Sequence, residues 1–439
     1  PSLRLTITCY NQYITDAMKP PIKMLRQSAY QPPYQPPQAP HPLPINEAWA
    51  LLGGMSPKRF MKEYWQKKPL LVRGAIPAFN LAKQSGQELA SPLSMADLAK
   101  LASQKNVESR LIQSKPWSLG HGPFTRDQIP ALNQKDWTLL VQGVNGHHPA
   151  AKTVMSWFRF IPEARLDDLM ISIAGPNGGV GPHVDSYDVF LLQMAGRRQW
   201  RISNQKDLSL KDGLPLKILK NFKATDDWVL EPGDMLYLPP NMAHDGIALD
   251  AGCQTWSVGF RVPTYKELVN EILWRTTEAL ENDPKLSKLY TDPHQRATLD
   301  PALVPDELVK VIQKQLNAIT WSKSDVSCTL AAVLSEPKPQ VIFTPPSPAL
   351  SFAEFKKVLK THALTLSPLS KALYDKDFLY LNGESMSDSE AEDWEFWCHL
   401  AQTHTLPAKM ASRLAGLLDH ADNPWFEAYQ SGWLGLANC

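Results

Sequence analysis

Three residues of this sequence have the types and spacing to hold a metal ion. His183 and Asp185 stand one residue apart in GGVGPHVDSYDVF, and His244 follows a proline turn in YLPPNMAHDGIAL. Side chains of an extended chain alternate between faces, so residues i and i+2 project to the same side. If His183-Val184-Asp185 is extended, imidazole and carboxylate converge while Val184 packs behind them. His244 lies 59 positions beyond Asp185 (244 − 185), far enough to return on the opposite wall of a barrel. Two histidines and one carboxylate make the facial set that holds Fe(II) and leaves positions open for a cosubstrate and oxygen. Asp245 is adjacent and could compete as a ligand, but strand parity favours the histidine. Alone, an H-x-D pair is common, and a surface histidine beside a turn carboxylate would read the same way.

An iron site of this type commonly uses 2-oxoglutarate, whose far carboxylate needs a cation. Arg197, Arg198 and Arg201 lie in one strand-like run, RRQWRIS. Parity groups Arg198 with Trp200 and Ile202, the apolar and therefore inward face, and Arg197 with Gln199 and Arg201 on the outward face. An inward guanidinium can grip a carboxylate through two parallel hydrogen bonds; the plainer alternative is a core-edge arginine paired with an acid. Ser172 stands in line to donate a hydroxyl to the same carboxylate, although a satisfied core serine would look identical. Asn177, Gly178, Gly179 and Gly181 offer positive-φ freedom next to the metal. Asp167 and Asp168 read as capping or pairing residues without chemistry, and His147-His148 as loop histidines. Glu231-Pro232-Gly233-Asp234 reads as a type II turn.

The elements that must position these residues are short strands. From Leu169 to Pro263 the runs LMISIA, GPHVDSY, VFLLQM, RQWRIS, WVLEPGDMLYLPP, IALD and QTWSVGFRV are punctuated by glycine and proline, with no helical period between them. That pattern predicts an antiparallel sandwich or barrel, with Val189, Leu191, Trp200, Leu236 and Trp256 lining an apolar interior. Ahead of it, Ser56 and Pro57 start a helix, Leu70-Leu71-Val72 is a short strand, and Ser94 with Asp97 makes a capping box. ESRLIQSKPWSL and DWTLLVQGV add further strands. Residues 264–290 and Leu303 to Ile319 carry helical periodicity. Beyond about 340 a strand-like FLYLNGES and helices around Asp393–Ala401 and Ala408–His420 predict a small winged-helix-type module.

Composition narrows the classes. With 439 residues, 43% hydrophobic, the chain can bury two or three cores, and a net charge of +1 gives no nucleic-acid signal. The acidic run SDSEAED near the C-terminal end points the same way. Five scattered cysteines (Cys9, Cys253, Cys328, Cys398, Cys439) without C-x-x-C spacing fit a reducing cytoplasm. No apolar run reaches the roughly 18 residues of a spanning helix, and the first residues show no signal-peptide pattern. Met18 is an alternative start. Residues 1–45, with YQPPYQPPQAPHPLP, read as a proline-rich disordered tail.

The set YWQKKPLLVRGA, LDDLMIS, GGVGPHVDSYDVFLLQ, GRRQW, LEPGDMLYLPP, AHDGIA and SVGFRVP resembles the JmjC-type ribosomal oxygenases. Within them it is most similar to the bacterial branch that hydroxylates an arginine of large-subunit ribosomal protein sixteen. The resemblance starts near residue 46 and weakens in the C-terminal third. It implies a mainly β fold with α. A JmjC double-stranded β-helix over 46–263 would precede a helical dimerisation region over 264–338 and a winged-helix-like domain over 339–439. It implies Fe(II) on His183, Asp185 and His244, 2-oxoglutarate on Arg198 with Ser172, O2 as the second cosubstrate, and a cytoplasmic homodimer. At the position two beyond the serine, where the family often has a small polar residue, this chain has Ala174. Two rival readings keep the same scaffold: a histidine hydroxylase or lysine demethylase, and a barrel that binds without catalysis.

Overall fold

The structure is a computed structural model that describes residues 32–281, 283–284 and 286–437. Its strands run β1 (Leu70–Val72), β2 (Ser109–Ser114), β3 (Trp117–His121), β4 (Trp137–Val141), β5 (Leu166–Ala174), β6 (Val189–Ala195), β7 (Arg198–Ser203), β8 (Asp226–Leu230), β9 (Met235–Leu238), β10 (Ala243–Ala248) and β11 (Cys253–Phe260). Among the described residues, eight of these form one sheet in the order β1-β9-β6-β11-β5-β4-β2-β3, and three form a second in the order β10-β7-β8. The pairings are antiparallel.

The sheets face each other through Val189, Leu191, Leu236 and Leu238 on one side and Trp200, Ile202 and Leu230 on the other. The outer face of the large sheet, with Ile171, Phe190, Tyr237 and Trp256, packs beneath helices α1 (Pro57–Glu63), α2 (Pro77–Gln84), α3 (Met95–Ala102) and α4 (Pro149–Ser156). The expected starts hold: Ser56 accepts from the Arg59 N–H, and Ser94 with Asp97 closes a capping box. Trp256 corrects an expectation. Its neighbour Thr255 pairs with Ser172 and Gln193, so Thr255 and Ser257 turn inward and Trp256 turns out into the helical layer.

Two further segments differ from the sequence reading. GPHVDSY is not a strand; His183 makes an isolated antiparallel bridge to His244. Gly181 turns at φ 77° and Pro182 has no N–H to give, so a ladder cannot continue through them. His244 lies inside β10, the returning strand that the spacing called for. The proline-rich tail is also shorter than expected. Within residues 32–45, Tyr34 is 6% exposed, its ring 5.1 Å from that of Phe79. The Tyr34 N–H donates to the Ala90 carbonyl at 2.8 Å, and the Trp157 indole N–H donates to the Pro37 carbonyl at 2.8 Å. An extended proline-rich chain keeps its backbone groups unpaired, and here the domain surface supplies the partners.

After the barrel come α5 (Tyr265–Leu280), α6 (Asp306–Ala318) and α7 (Lys323–Ser335). α5 opens with a Thr264–Glu267 capping box but buries none of its residues, and Val269, Leu273 and Trp274 stand about half exposed. α7 is joined to the C-terminal module: the Gly383 N–H donates to Ser335 Oγ at 3.1 Å, and Ser324 Oγ donates to Asp377 at 2.8 Å. That module comprises α8 (Phe352–Leu359), β12 (Ala363–Leu366), β13 (Ala372–Tyr374), β14 (Phe378–Leu381), β15 (Glu384–Asp388), α9 (Trp394–Thr403), β16 (Thr405–Leu406), α10 (Ala408–Leu417), α11 (Pro424–Gln430) and β17 (Leu434–Ala437). At its centre the stacked rings of Trp397 and Trp425 both donate to Asp393 Oδ2, at 3.1 and 2.7 Å. No helix among the described residues is long and apolar enough to cross a membrane.

If residues 32–45 are part of the packed domain, Tyr34→Ala should lower unfolding stability by about 3 kcal/mol, as removal of a buried aromatic ring does. Urea denaturation checks this, and a loss under about 0.5 kcal/mol, the level of an ordinary surface substitution, would return the segment to a tail.

Candidate metal centre

His183 and His244 exchange backbone hydrogen bonds, each N–H to the other's carbonyl at 2.9 Å, so their rings stand side by side with centroids 4.2 Å apart. In each ring Nδ1 faces a carbonyl, Gly181 O at 2.8 Å for His183 and Met242 O at 2.9 Å for His244. A carbonyl can only accept, so Nδ1 carries the proton and Nε2 presents its lone pair. The Asp185 carboxylate meets both Nε2 atoms, at 3.8 Å from His183 and 3.6 Å from His244. The three ligand atoms lie within 4.8 Å of one another, and this is the one group of its kind found among the described residues. His244 is 3% exposed. Burial, with His183 alongside, pushes its imidazole down to about 4, which keeps it in the neutral form a metal requires.

Asp245 does not compete. Strand alternation turns it to the far side of β10, where it pairs with Arg201. His148 accepts from the Ala150 N–H and caps α4, so it has a structural task. The loop ahead of His183 needs its glycines for space more than for dihedral freedom. A Cβ on Gly178 would lie 2.0 Å from the Trp137 carbonyl, and one on Gly179 2.6 Å from the Gly246 carbonyl. Positive φ is taken instead by Asn177 and Gly181.

Next to this cluster the barrel holds buried donors that no described residue satisfies. Arg198 is 3% exposed, points inward with Trp200 and Ile202, and leaves Nε and Nη2 without a hydrogen bond. The Trp200 indole N–H and the Thr138 hydroxyl, both buried, are equally unpartnered. Thr138 pairs across the sheet with Ala174, Ala174 packs on Ala248, and Ala248 pairs with Arg198. Unpaired buried donors cost free energy, and this set of one cation and two neutral donors is what a carboxylate would satisfy. Ser172 is less free, since its hydroxyl reaches the Thr255 carbonyl at 3.4 Å.

The sequence reading passed over two residues. Alternation along β5 puts Asp168 on the face of Met170 and Ser172, not outside it. Its carboxylate is 7% exposed and accepts from Gln142 at 2.8 Å and from Lys338 at 3.0 Å. Burial, then the neighbouring Asp167, raises its pKa. Tyr187 is hydrogen-bonded to Asp185 and lies near enough to Arg110 and Asp168 to feel their charges. Parity with Ser172 was the signal that could have found Asp168.

Fold and site together define a JmjC-type 2-oxoglutarate oxygenase: two facing antiparallel sheets, a His-Asp-His cluster, and an inward arginine with no acid partner among the described residues. The comparisons agree. Residues 153–268 match the JmjC domain family and residues 318–431 the ROXA-like winged helix. The chain is 34% identical to the ribosomal protein uL16 3-hydroxylase of Escherichia coli, covering 74% of this chain and 84% of that one. It is 29% identical to a probable ribosomal oxygenase of Haemophilus influenzae, covering 84% and 96%. The structure of YcfD, a ribosomal oxygenase from Escherichia coli in complex with cobalt and 2-oxoglutarate, superposes with a TM-score of 0.70 at 30% identity, covering 86% and 97%. The chain belongs to the ribosomal oxygenase family. The donor set found here fits the Fe(II) and 2-oxoglutarate such an enzyme uses.

The alternation along β10 generates a sharp test. His183→Ala and His244→Ala should each weaken Co(II) binding by at least about 100-fold, as loss of one of three ligands implies. Asp245→Asn should leave it within about threefold, since that carboxylate faces Arg201. Titration calorimetry reads both, and comparable losses in all three variants would mean the cluster is misassigned.

Proposed function

We propose that this protein hydroxylates an arginine side chain of a large-subunit ribosomal protein, with His183, Asp185 and His244 holding Fe(II) and Arg198 anchoring 2-oxoglutarate. The observation that carries the cosubstrate assignment is the buried Arg198 guanidinium with two unpartnered nitrogens. Its own strand turns Arg197 outward to Asp250 and Arg201 outward to Asp245, leaving it no acid partner among the described residues. Thr138 and Trp200 complete the set of donors around that carboxylate.

Bound Fe(II) with O2 supplies the oxidising power that turns 2-oxoglutarate into succinate and CO2 and inserts one oxygen atom into a carbon–hydrogen bond. The chain's own part is to orient and to exclude water. The carbonyls of Gly181 and Met242 hold the two imidazoles, and Val189, Leu191 and Leu236 keep the space between the sheets apolar.

Asp168 supports a cationic substrate. A buried carboxylate facing the interior, near the Tyr187 that bonds to Asp185, suits a guanidinium held by charge and two parallel hydrogen bonds. The name of the Escherichia coli relative supports uL16 as the ribosomal protein, and such a substrate would place the enzyme in the cytoplasm. The open apolar face of α5 supports a homodimer.

Succinate formation from 2-oxoglutarate should rise when an arginine peptide of uL16 is added, and the peptide should gain one oxygen by mass. Loss of a methyl group, or oxygen gained on a histidine instead, would overturn the arginine reading. Arg198→Gln should raise the KM for 2-oxoglutarate about 30-fold, the worth of a charge-assisted hydrogen bond of about 2 kcal/mol. Thr138→Val should raise it about fivefold, with kcat nearly unchanged.

Asp168→Asn should leave the 2-oxoglutarate KM unchanged and raise the peptide KM by about tenfold or more. If instead it altered both KM values equally, Asp168 would be structural.

A further inference from the structure

Between the barrel and the C-terminal module lies a cavity of about 690 Å³, the size of a small-molecule site. It is walled by α4 and the chain after it, by residues 367–371 and 402–405, and by the proline-rich stretch around Gln38–Ile45. Its charged groups are unbalanced. Glu163 is fully engaged, with Arg159 at 2.6 Å and His404 at 3.5 Å. Asp167 shares Lys338 with Asp168, at 2.9 and 3.0 Å, and together with Glu163 it acts on Lys371 from beyond ion-pair distance. Lys152 and Lys371 remain, and neither lies within ion-pair distance of an acid among the described residues. Each has one carbonyl acceptor in the protein: Leu366 O at 3.1 Å for Lys152 and Leu166 O at 2.6 Å for Lys371.

An ammonium has three donors, so each lysine keeps spare hydrogen-bonding capacity on a group that is costly to enclose without an anion. Both are half-buried and line the cavity, and burial lowers the pKa of each, Lys371 to about 8, which leaves both ammonium groups mainly charged near neutral pH. The walls add hydroxyls from Thr153, Ser156, Ser367 and Thr405.

We propose that this cavity is a binding site for a small phosphate-bearing anion, held by Lys152 and Lys371 across the junction of the two modules. Lys152 comes from the barrel and Lys371 from the C-terminal module, so the anion bridges them. The site is separate from the metal centre, because its lining contains none of His183, Asp185, His244 or Arg198. Enclosure by four chain segments selects a small molecule over a nucleic-acid strand.

The test uses the full-length protein with Zn(II) in place of Fe(II) and saturating 2-oxoglutarate, so that the Arg198 pocket is filled. Inorganic phosphate and pyrophosphate are titrated against sodium chloride of matched ionic strength. Wild type should show a rise in thermal midpoint of about 2 °C that saturates below about 10 mM, as mass action at roughly tenfold above Kd gives. Lys152→Met with Lys371→Met should lose the rise, while Lys152→Arg with Lys371→Arg keeps it. Broadening of the phosphate phosphorus resonance by wild type gives a second reading that needs no variant. An equal rise from chloride, no saturation, or an unchanged response in the double methionine variant would overturn the proposal. Displacement of phosphate by single-stranded RNA but not by pyrophosphate would overturn the small-molecule assignment.

Discussion

The two hydrogen bonds between His183 and His244 are the constraint on which the centre depends. They form a one-residue bridge, with no ladder running through the H-x-D segment on either side. Further along β10 the same segment is pinned again, by Asn177 N–H to the Ala248 carbonyl and Ala248 N–H to the Gly178 carbonyl, both at 2.8 Å. At its other end the Asn241 N–H donates to the Asp185 carbonyl at 2.7 Å. The segment is thus an interrupted strand laid along the edge of the small sheet. The i, i+2 spacing of His183 and Asp185 and the bridge to His244 together bring the carboxylate within 4 Å of both imidazoles.

Asp188 holds the far end of that arrangement. It is fully buried and accepts from Tyr237 Oη at 2.6 Å and from Gln66 Nε2 at 2.8 Å, with Arg165 at 3.8 Å. Tyr237 belongs to the aromatic layer with Phe60 and Phe190, so the exit of the metal loop is tied to the helices outside the barrel. The helical layer therefore fixes the site as well as covering the sheet, which is how packing some distance away reaches the ligands.

Much of this was legible in the sequence, and the remainder was hidden for identifiable causes. Arg198 could be read from parity because β7 is paired on both edges in unbroken register, to Ala248 and to Leu230. The spacing of His183, Asp185 and His244 was enough to bring them together even though the segment pairs by a single bridge rather than as a strand. Parity was misapplied at Trp256 and not applied to Asp168, for one reason. Interior positions were taken to be apolar, whereas this interior is polar wherever it must meet a ligand, with Thr138, Ser172, Gln193 and Thr255 all buried and inward. In β11 both faces are buried, so apolar character alone could not say which was which. Tyr34 was hidden for another reason: composition predicts that a proline-rich segment has no core of its own, but says nothing about docking onto a neighbouring one.

The polar interior has a direction. Along β5, Asp168 and Ala174 are six residues apart, about 20 Å of strand. The Ala174 end meets Ala248 and Arg198, and the Asp168 end meets Tyr187 and Lys338. A cation thus lies at one end of the barrel and a carboxylate at the other. His244, opposite Ile202 and four residues along β7 from Arg198, stands between them. On the assignment proposed above, a dicarboxylate would enter such a field in one sense, with its free carboxylate at Arg198 and its remaining oxygens towards the histidines. The other end repels a second anion and favours a cation. Lys338, which reaches Asp168 from the chain after α7, is the cation the protein places there itself. On the arginine reading proposed above, a substrate guanidinium would share or displace that contact, which would couple its binding by charge to the segment leading into the C-terminal module.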